Sequence, residues 1–124
     1  SIPQEAWIAG SGVGLLAVAV LIANNTRDID TDKLAGKHTL SSRIGDRASR
    51  ILFTIFVLLP YAVPTIYLVP YPAMIFALLT LFGAIPAAVI MLWARSAREM
   101  VLALAITSLT ALAYGVLLGV AFAF

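Results

Sequence analysis

The chain has 124 residues, enough for one domain by length. Hydrophobic residues make up 62% of it and charged residues only 11%, with eight Lys and Arg, six Asp and Glu and a net charge of +2. A soluble domain carries about 25% charged residues, so this balance and a mean hydropathy of +1.03 exclude a soluble enzyme or nucleic-acid binder, and the absence of Cys excludes disulfides, thiolate catalysis and zinc–cysteine sites.

The chain opens at Ser1 with no basic n-region, unlike a signal peptide, and lacks an initiator methionine, which predicts a processed product or a piece of something longer. Trp7 to Ala23 is uncharged and just long enough to cross a hydrocarbon core about 30 Å thick. Residues 24–50 are polar. Ile51 to Val69 is apolar, broken only by Pro60 and Pro64, and Val69-Pro70-Tyr71-Pro72 reads as a tight turn. Ala73 to Ala94 is a third uncharged stretch, Arg95 to Glu99 a short basic turn, and Met100 to Phe124 a fourth apolar run, with its helix placed over about 100–122. Backbone groups in lipid must be satisfied internally, so runs of this length are helices. The predicted fold is all-α: a multi-pass bundle of four transmembrane helices over about 7–23, 51–69, 73–94 and 100–122.

Four spans put the polar segment and the basic turn on one side. All eight basic residues lie there: Arg27, Lys33, Lys37, Arg43, Arg47, Arg50, Arg95 and Arg98. The positive-inside rule then makes that side cytoplasmic and faces both termini outward. Trp7, Tyr67 and Tyr71 fall near the outer boundary and Trp93 near the inner one, as an aromatic belt requires. Tyr61 and Tyr114 fall deeper, where a phenol lines a cavity or bonds to a neighbouring helix. Gly10 with Gly14 and Gly115 with Gly119 have the spacing of close helix packing, and Pro60, Pro64 and Pro86 are expected to bend their helices.

The chemistry is concentrated in Asn24-Asn25-Thr26-Arg27-Asp28-Ile29-Asp30-Thr31-Asp32-Lys33-Leu34-Ala35-Gly36-Lys37. If the first helix continues past Asn24, then Asn24, Asp28 and Asp32 fall four apart on one face, with Asp30 turned away. Two carboxylates and an amide at a membrane boundary suit a hard cation. Mg²⁺ takes one or two protein carboxylates and completes its shell with water and substrate phosphate. Lys37 and Arg43 follow within reach of phosphate, so a magnesium–diphosphate site accounts for acids and bases together. A plain solvated connector is the competing reading. Asp28-x-Asp30-x-Asp32 also opens like an EF-hand loop, but that reading fails at Lys33 and Thr39, where Gly and Glu are required. A phospholipid head-group transferase motif fails for want of its Asp-Gly and Ala-Arg pairs. His38, the single histidine, sits in a basic setting that suits solvation or phosphate contact better than acid–base work. Thr39-Leu40-Ser41-Ser42 reads as a turn or helix start, with no nucleophile–base pair beside it.

Asn24-Asn25-x-Arg27-Asp28-x-x-x-Asp32-x-x-x-Gly36-Lys37-x-Thr39-Leu40, continuing to Arg43 and Gly45, resembles the second aspartate-rich motif of the UbiA superfamily of intramembrane prenyltransferases. The paired asparagines and the Gly-Lys-x-Thr-Leu tail are most similar to its 1,4-dihydroxy-2-naphthoate polyprenyltransferases of menaquinone synthesis. The resemblance implies a nine-helix fold of which these would be helices six to nine, the C-terminal half. The first aspartate-rich motif and five helices are missing, so the chain is either a fragment or a piece whose N-terminal half is supplied elsewhere, and it is expected to be inactive without that half. It implies transfer of a polyprenyl group from an allylic diphosphate to 1,4-dihydroxy-2-naphthoate in the cell (inner) membrane, with Mg²⁺ as cofactor. By the family pattern Asn24, Asp28 and Asp32 hold metal, Asp28 and Asp32 are the catalytic pair, and Asn25, Arg27, Lys37 and Arg43 meet diphosphate. Another aromatic acceptor, such as 4-hydroxybenzoate, is the nearer alternative. A non-catalytic membrane subunit or transporter fragment is the more distant one, and the spans lack the mid-membrane ionisable residue that transport usually uses.

Overall fold

The computed structural model describes residues 3–123; Ser1 and Phe124, used above as the chain start and the end of the fourth apolar run, lie outside them. Helix α1 runs Gln4–Arg27 and is followed by two short helices, α2 (Ile29–Leu34) and α3 (Leu40–Ile44). Next come α4 (Asp46–Leu58), a 3-10 turn at Leu59–Tyr61, α5 (Ala62–Ile66), α6 (Met74–Leu78), α7 (Leu81–Trp93) and α8 (Ala97–Ala123). Four of the resulting rods are long and apolar enough to cross a membrane: Gln4–Arg27, Asp46–Ile66, Met74–Trp93 and Ala97–Ala123. The protein is thus an all-α, membrane-spanning bundle, as its composition predicts.

Each rod starts or stops where a local signal says so. Gly45 adopts a left-handed φ of 91° and starts α4 at Asp46, five residues ahead of the apolar run. Asp46 and Arg47 in that first turn are exposed. The second rod tightens into the 3-10 turn around Pro60, and Pro64 follows inside α5. The third rod is broken by a turn at Leu79–Thr80. The segment read as a polar loop is itself largely helical, because the N–H ladder of α1 continues through Asp28 into α2 and a cap at Thr39 starts α3.

The first rod packs on the second and the fourth, and the third packs on the same two, so the rods close into a ring around one core. Ala19, Ala23, Ala84, Ala87, Ala88 and Ala103 let backbones approach, and Leu16, Phe53, Val57, Met74, Met91, Tyr114 and Leu118 fill the space between. Only about a third of each rod is buried (28–33%), and Phe82, Leu109 and Leu112 stand outward. This inverted distribution suits a lipid solvent.

Both deep tyrosines are buried and bond to other parts of the bundle. The Tyr114 hydroxyl donates to the Pro60 carbonyl at 2.6 Å, a group to which Pro64 has no N–H to offer. Tyr61 bonds the Thr80 hydroxyl at 2.6 Å, and the two rings meet edge to face at 5.3 Å. Close approach is made at glycines that the four-residue spacing passes over. Gly10, Gly14 and Gly119 face open space and a Cβ at Gly115 would only touch Val13 at 3.4 Å, whereas a Cβ at Gly12 would strike Tyr114 and one at Gly83 would strike Thr110. The reason is rotational: the buried stripe of α1 runs through Gly12, Leu16 and Ala19.

Two observations locate the ends. Arg50 donates to the carbonyls of Met91 (3.0 Å) and Ala94, so the polar segment and the 95–99 turn share one end. Glu5, Tyr71 and Phe122 line one pocket at the other.

Candidate functional site

The stripe that buries α1 runs on through Ile22 and Thr26 to the bundle end, and the polar residues follow it without a change of helical register. The Asp28 N–H bonds the Asn24 carbonyl at 3.2 Å, and the Asp32 N–H bonds the Asp28 carbonyl at 2.8 Å. Asn24, Asp28 and Asp32 are therefore stacked on consecutive turns even though Asp28 interrupts the helix with φ −99° and ψ 11°. All three are half-buried, while Asp30 is exposed. The Thr31 hydroxyl donates to the Asp28 carbonyl at 3.1 Å, a support that sequence spacing alone contained but that the motif reading passed over.

The end of α2 explains the Gly-Lys pair. Gly36 takes a left-handed φ of 75°. Its N–H bonds the Lys33 carbonyl at 3.1 Å, and the Lys37 N–H bonds the Asp32 carbonyl at 2.8 Å. This is the Schellman closure of a helix C-terminus, which needs a residue without a Cβ penalty at its hinge. A glycine here folds Lys37 back over the turn that carries Asp32. The next residue with a marked role, Thr39, makes a reciprocal cap with Ser42 (3.1 and 2.9 Å) that starts α3.

Arg27 organises the oxygens. Its Nε donates to Asp28 Oδ1 at 2.9 Å and its Nη2 to Asp28 Oδ2 at 3.2 Å, and Nη2 also donates to the Asn24 amide oxygen. One guanidinium thus sits on two members of the column. The hydrogen bond from Arg27 holds the Asp28 carboxyl below the usual aspartate range, against a desolvation that pushes it up, and the positive charges of Arg27 and Lys37 pull the same way. Lys37 is exposed, yet near enough for its charge to be felt at Asp28.

Not every candidate joins this cluster. Asn25 is half-buried on α1, and its side chain bonds none of the others among the described residues. Arg43 lies exposed in the last turn of α3, with no ion pair to Asp28 or Asp32. His38 is exposed between α2 and α3.

The donor set accepts a cation, since Asn24 and Asp28 already hold a guanidinium between them. No group of three or more His, Cys, Asp or Glu side chains converges among the described residues. An oxygen set of two carboxylates and one amide fits a magnesium ion that takes few protein ligands and draws the rest from water and phosphate.

An all-α bundle of four membrane-length helices, carrying a cation-receptive aspartate column where one span meets water, defines a multi-pass membrane protein with a polar site at its boundary. The model of the UbiA prenyltransferase family matches residues 1–103, and the chain belongs to that family. It is 32% identical over 111 residues to a 1,4-dihydroxy-2-naphthoate octaprenyltransferase of Mycobacterium tuberculosis, covering 90% of this chain and 38% of that one. It is 44% identical over 57 residues to the enzyme of the same name in Haemophilus influenzae, covering 46% and 18%. A UbiA prenyltransferase domain-containing protein 1 of Gallus gallus is 41% identical over 51 residues, covering 41% and 15%. The chain spans well under half the length of these curated relatives. No solved structure matches it.

Proposed function

We propose that this chain is the part of a magnesium-dependent prenyltransferase that holds the second aspartate-rich motif, and that the whole enzyme transfers a polyprenyl group from an allylic diphosphate to 1,4-dihydroxy-2-naphthoate in menaquinone biosynthesis. The observation that carries the proposal is the Asn24–Asp28–Asp32 column at the mouth of an apolar bundle, flanked by Arg27 and Lys37. The Mycobacterium and Haemophilus relatives, named for transfer to this acceptor, support the choice of substrate. Their greater length supports a second half of the fold, carrying the first motif, as the partner that completes the site.

In this reading Asp28 and Asp32 are the catalytic pair and, with Asn24, hold the metal. When bound, magnesium supplies positive charge to the departing diphosphate. The guanidinium of Arg27 must leave Asp28 and Asn24 for a metal to reach their oxygens, which turns its donors toward the same diphosphate. Lys37, tethered to Asp32 through the backbone of α2, adds a second donor. Asn25 and Arg43 serve as outer diphosphate contacts. The apolar wall of the bundle keeps water from the allylic carbon once its bond to oxygen breaks. In this reading the column lies on the cytoplasmic face of the inner membrane, with both termini outside, an orientation that the one-sided distribution of the eight basic residues supports.

The test is reconstitution in proteoliposomes of this chain together with the rest of the fold, supplied with polyprenyl diphosphate, 1,4-dihydroxy-2-naphthoate and Mg²⁺. Prenylated naphthoquinol is the expected product, and neither Asp28→Asn nor Asp32→Asn should form it. Near-normal turnover in both variants would overturn the site, and turnover only with a different aromatic acid would overturn the acceptor.

A further inference from the structure

We propose that the groove between the start of α4 and the end of α7 is a binding site for the phosphodiester head group of an anionic membrane lipid. Arg47, Arg50, Ile51, Leu92 and Trp93 enclose a space of about 240 Å³. None of these residues belongs to the aspartate column, which is built on α1 and α2, so the inference stands apart from the prenyl-transfer reading.

Arg50 is the anchor. Its Nε donates to Asp46 Oδ2 at 2.8 Å and its Nη1 to the Met91 and Ala94 carbonyls, which fixes the guanidinium plane across two helices. Its Nη2 makes no hydrogen bond among the described residues, yet no buried side-chain nitrogen there lacks a partner. Nη2 is therefore open to solvent, a positioned donor in a side chain only 14% exposed. Asp46 is already matched by Arg50 and leaves the local balance to Arg47, three residues along the same helix, which is exposed and has no ion pair among the described residues. On the other wall Trp93 is 77% exposed, and its indole N–H makes no hydrogen bond among the described residues. Glu99, the nearest acid in sequence after Trp93, is occupied by the Ser96 hydroxyl and the Arg95 N–H at the start of α8.

Two guanidinium groups and an indole N–H line this one groove, a donor set that suits a phosphate. The floor of the groove selects the source of that phosphate. Ile51 and Leu92 are 46% and 39% exposed and continue the groove down the apolar faces of their spans. The groove stands where the second span begins and the third ends, so a bound lipid would set its head group against the two arginines and its first acyl methylenes against Ile51 and Leu92. Basic pockets between spans on the positive side of a membrane recognise anionic head groups in this way.

Trp93 supplies the readout. The Trp7→Phe variant leaves it the only tryptophan of this chain, and the chain, assembled with the rest of its fold in a tryptophan-free form, is placed in phosphatidylcholine vesicles doped with either dibrominated phosphatidylglycerol or dibrominated phosphatidylcholine. The brominated anionic lipid should quench Trp93 at a lower mole fraction than the zwitterionic one, and Arg47→Gln should reduce that preference by about fivefold, the weight of one basic residue at a membrane surface. Arg47→Lys should keep most of it. Equal quenching by the two lipids, or a preference that Arg47→Gln leaves intact, overturns the proposal. Excess inorganic phosphate should not reverse the quenching, and reversal would assign the groove to a soluble phosphate instead.

Discussion

The polar segment and the interior of the bundle are held together over very different sequence distances. From Asn24 to Ser49, every side-chain hydrogen bond links residues no more than four apart, as in Arg27 with Asn24 and Asp28, Thr31 with Asp28, and Thr39 with Ser42. In the bundle the decisive bonds join Tyr61 to Thr80, Arg50 to Met91 and Ala94, and Tyr114 to Pro60, which are 19, 41, 44 and 54 residues apart. The site half of the molecule is thus assembled by local chemistry on a helix end, and the scaffold half by contacts between helices. Changes in the first should alter function at little cost in stability, and changes in the second should do the reverse.

The largest separation is expected at Asp28. Asp28→Asn should lower turnover of the reconstituted enzyme by about 100-fold or more, with an unchanged midpoint of unfolding in detergent. Loss of helicity in this variant would break the contrast. Gly12→Leu comes next, in the opposite sense. Its side chain has to enter the space held by the Tyr114 ring, which should destabilise the bundle by about 1–3 kcal/mol in denaturant titrations. Tyr114→Phe removes a single bond to Pro60 and should cost about 1 kcal/mol, again without touching the aspartate column.

Smaller effects sharpen the local side. Thr39→Ala removes the cap of α3 and should cost about 0.5 kcal/mol, seen as faster hydrogen exchange in residues 40–44 and nowhere in the spans. The carboxyl of Asp28, followed by carbon-13 NMR in metal-free buffer, should titrate below the ordinary aspartate range, and Arg27→Gln should bring it back up. A depressed value means that the Asp28–Arg27 contact contributes fully above the unfolded-state pKa and is lost as pH falls through the folded one. The pair is half-buried at the bundle end and screened by solvent on its open side, so the shift belongs to the site and moves global stability little.

The same division governs how much the sequence reveals. Four membrane-length helices are legible from runs without charge, and the column from a spacing of four, because both depend on residues close in the chain. The Gly36–Lys37 pair is legible as a motif, although its reason, the closure of α2 onto Asp32, needs backbone angles. The spacing of Gly10 and Gly14 does not locate close packing, since which face of α1 meets α8 depends on a partner about a hundred residues away. The engagement of Arg50 with the end of α7 is equally invisible in sequence, where it reads only as the last charge before an apolar run.

The bond between Tyr114 and Pro60 also bears on how the protein is made. The Pro60 carbonyl enters the bilayer with the second span, and the hydroxyl that meets it is synthesised 54 residues later, in the last one. Until then the bent second helix carries an under-satisfied acceptor in hydrocarbon, a condition that membranes penalise. Arrival of the fourth helix removes that penalty and closes the ring of rods in one step. A protein cut short before Tyr114 would lack this donor and leave the kink at Pro60 exposed.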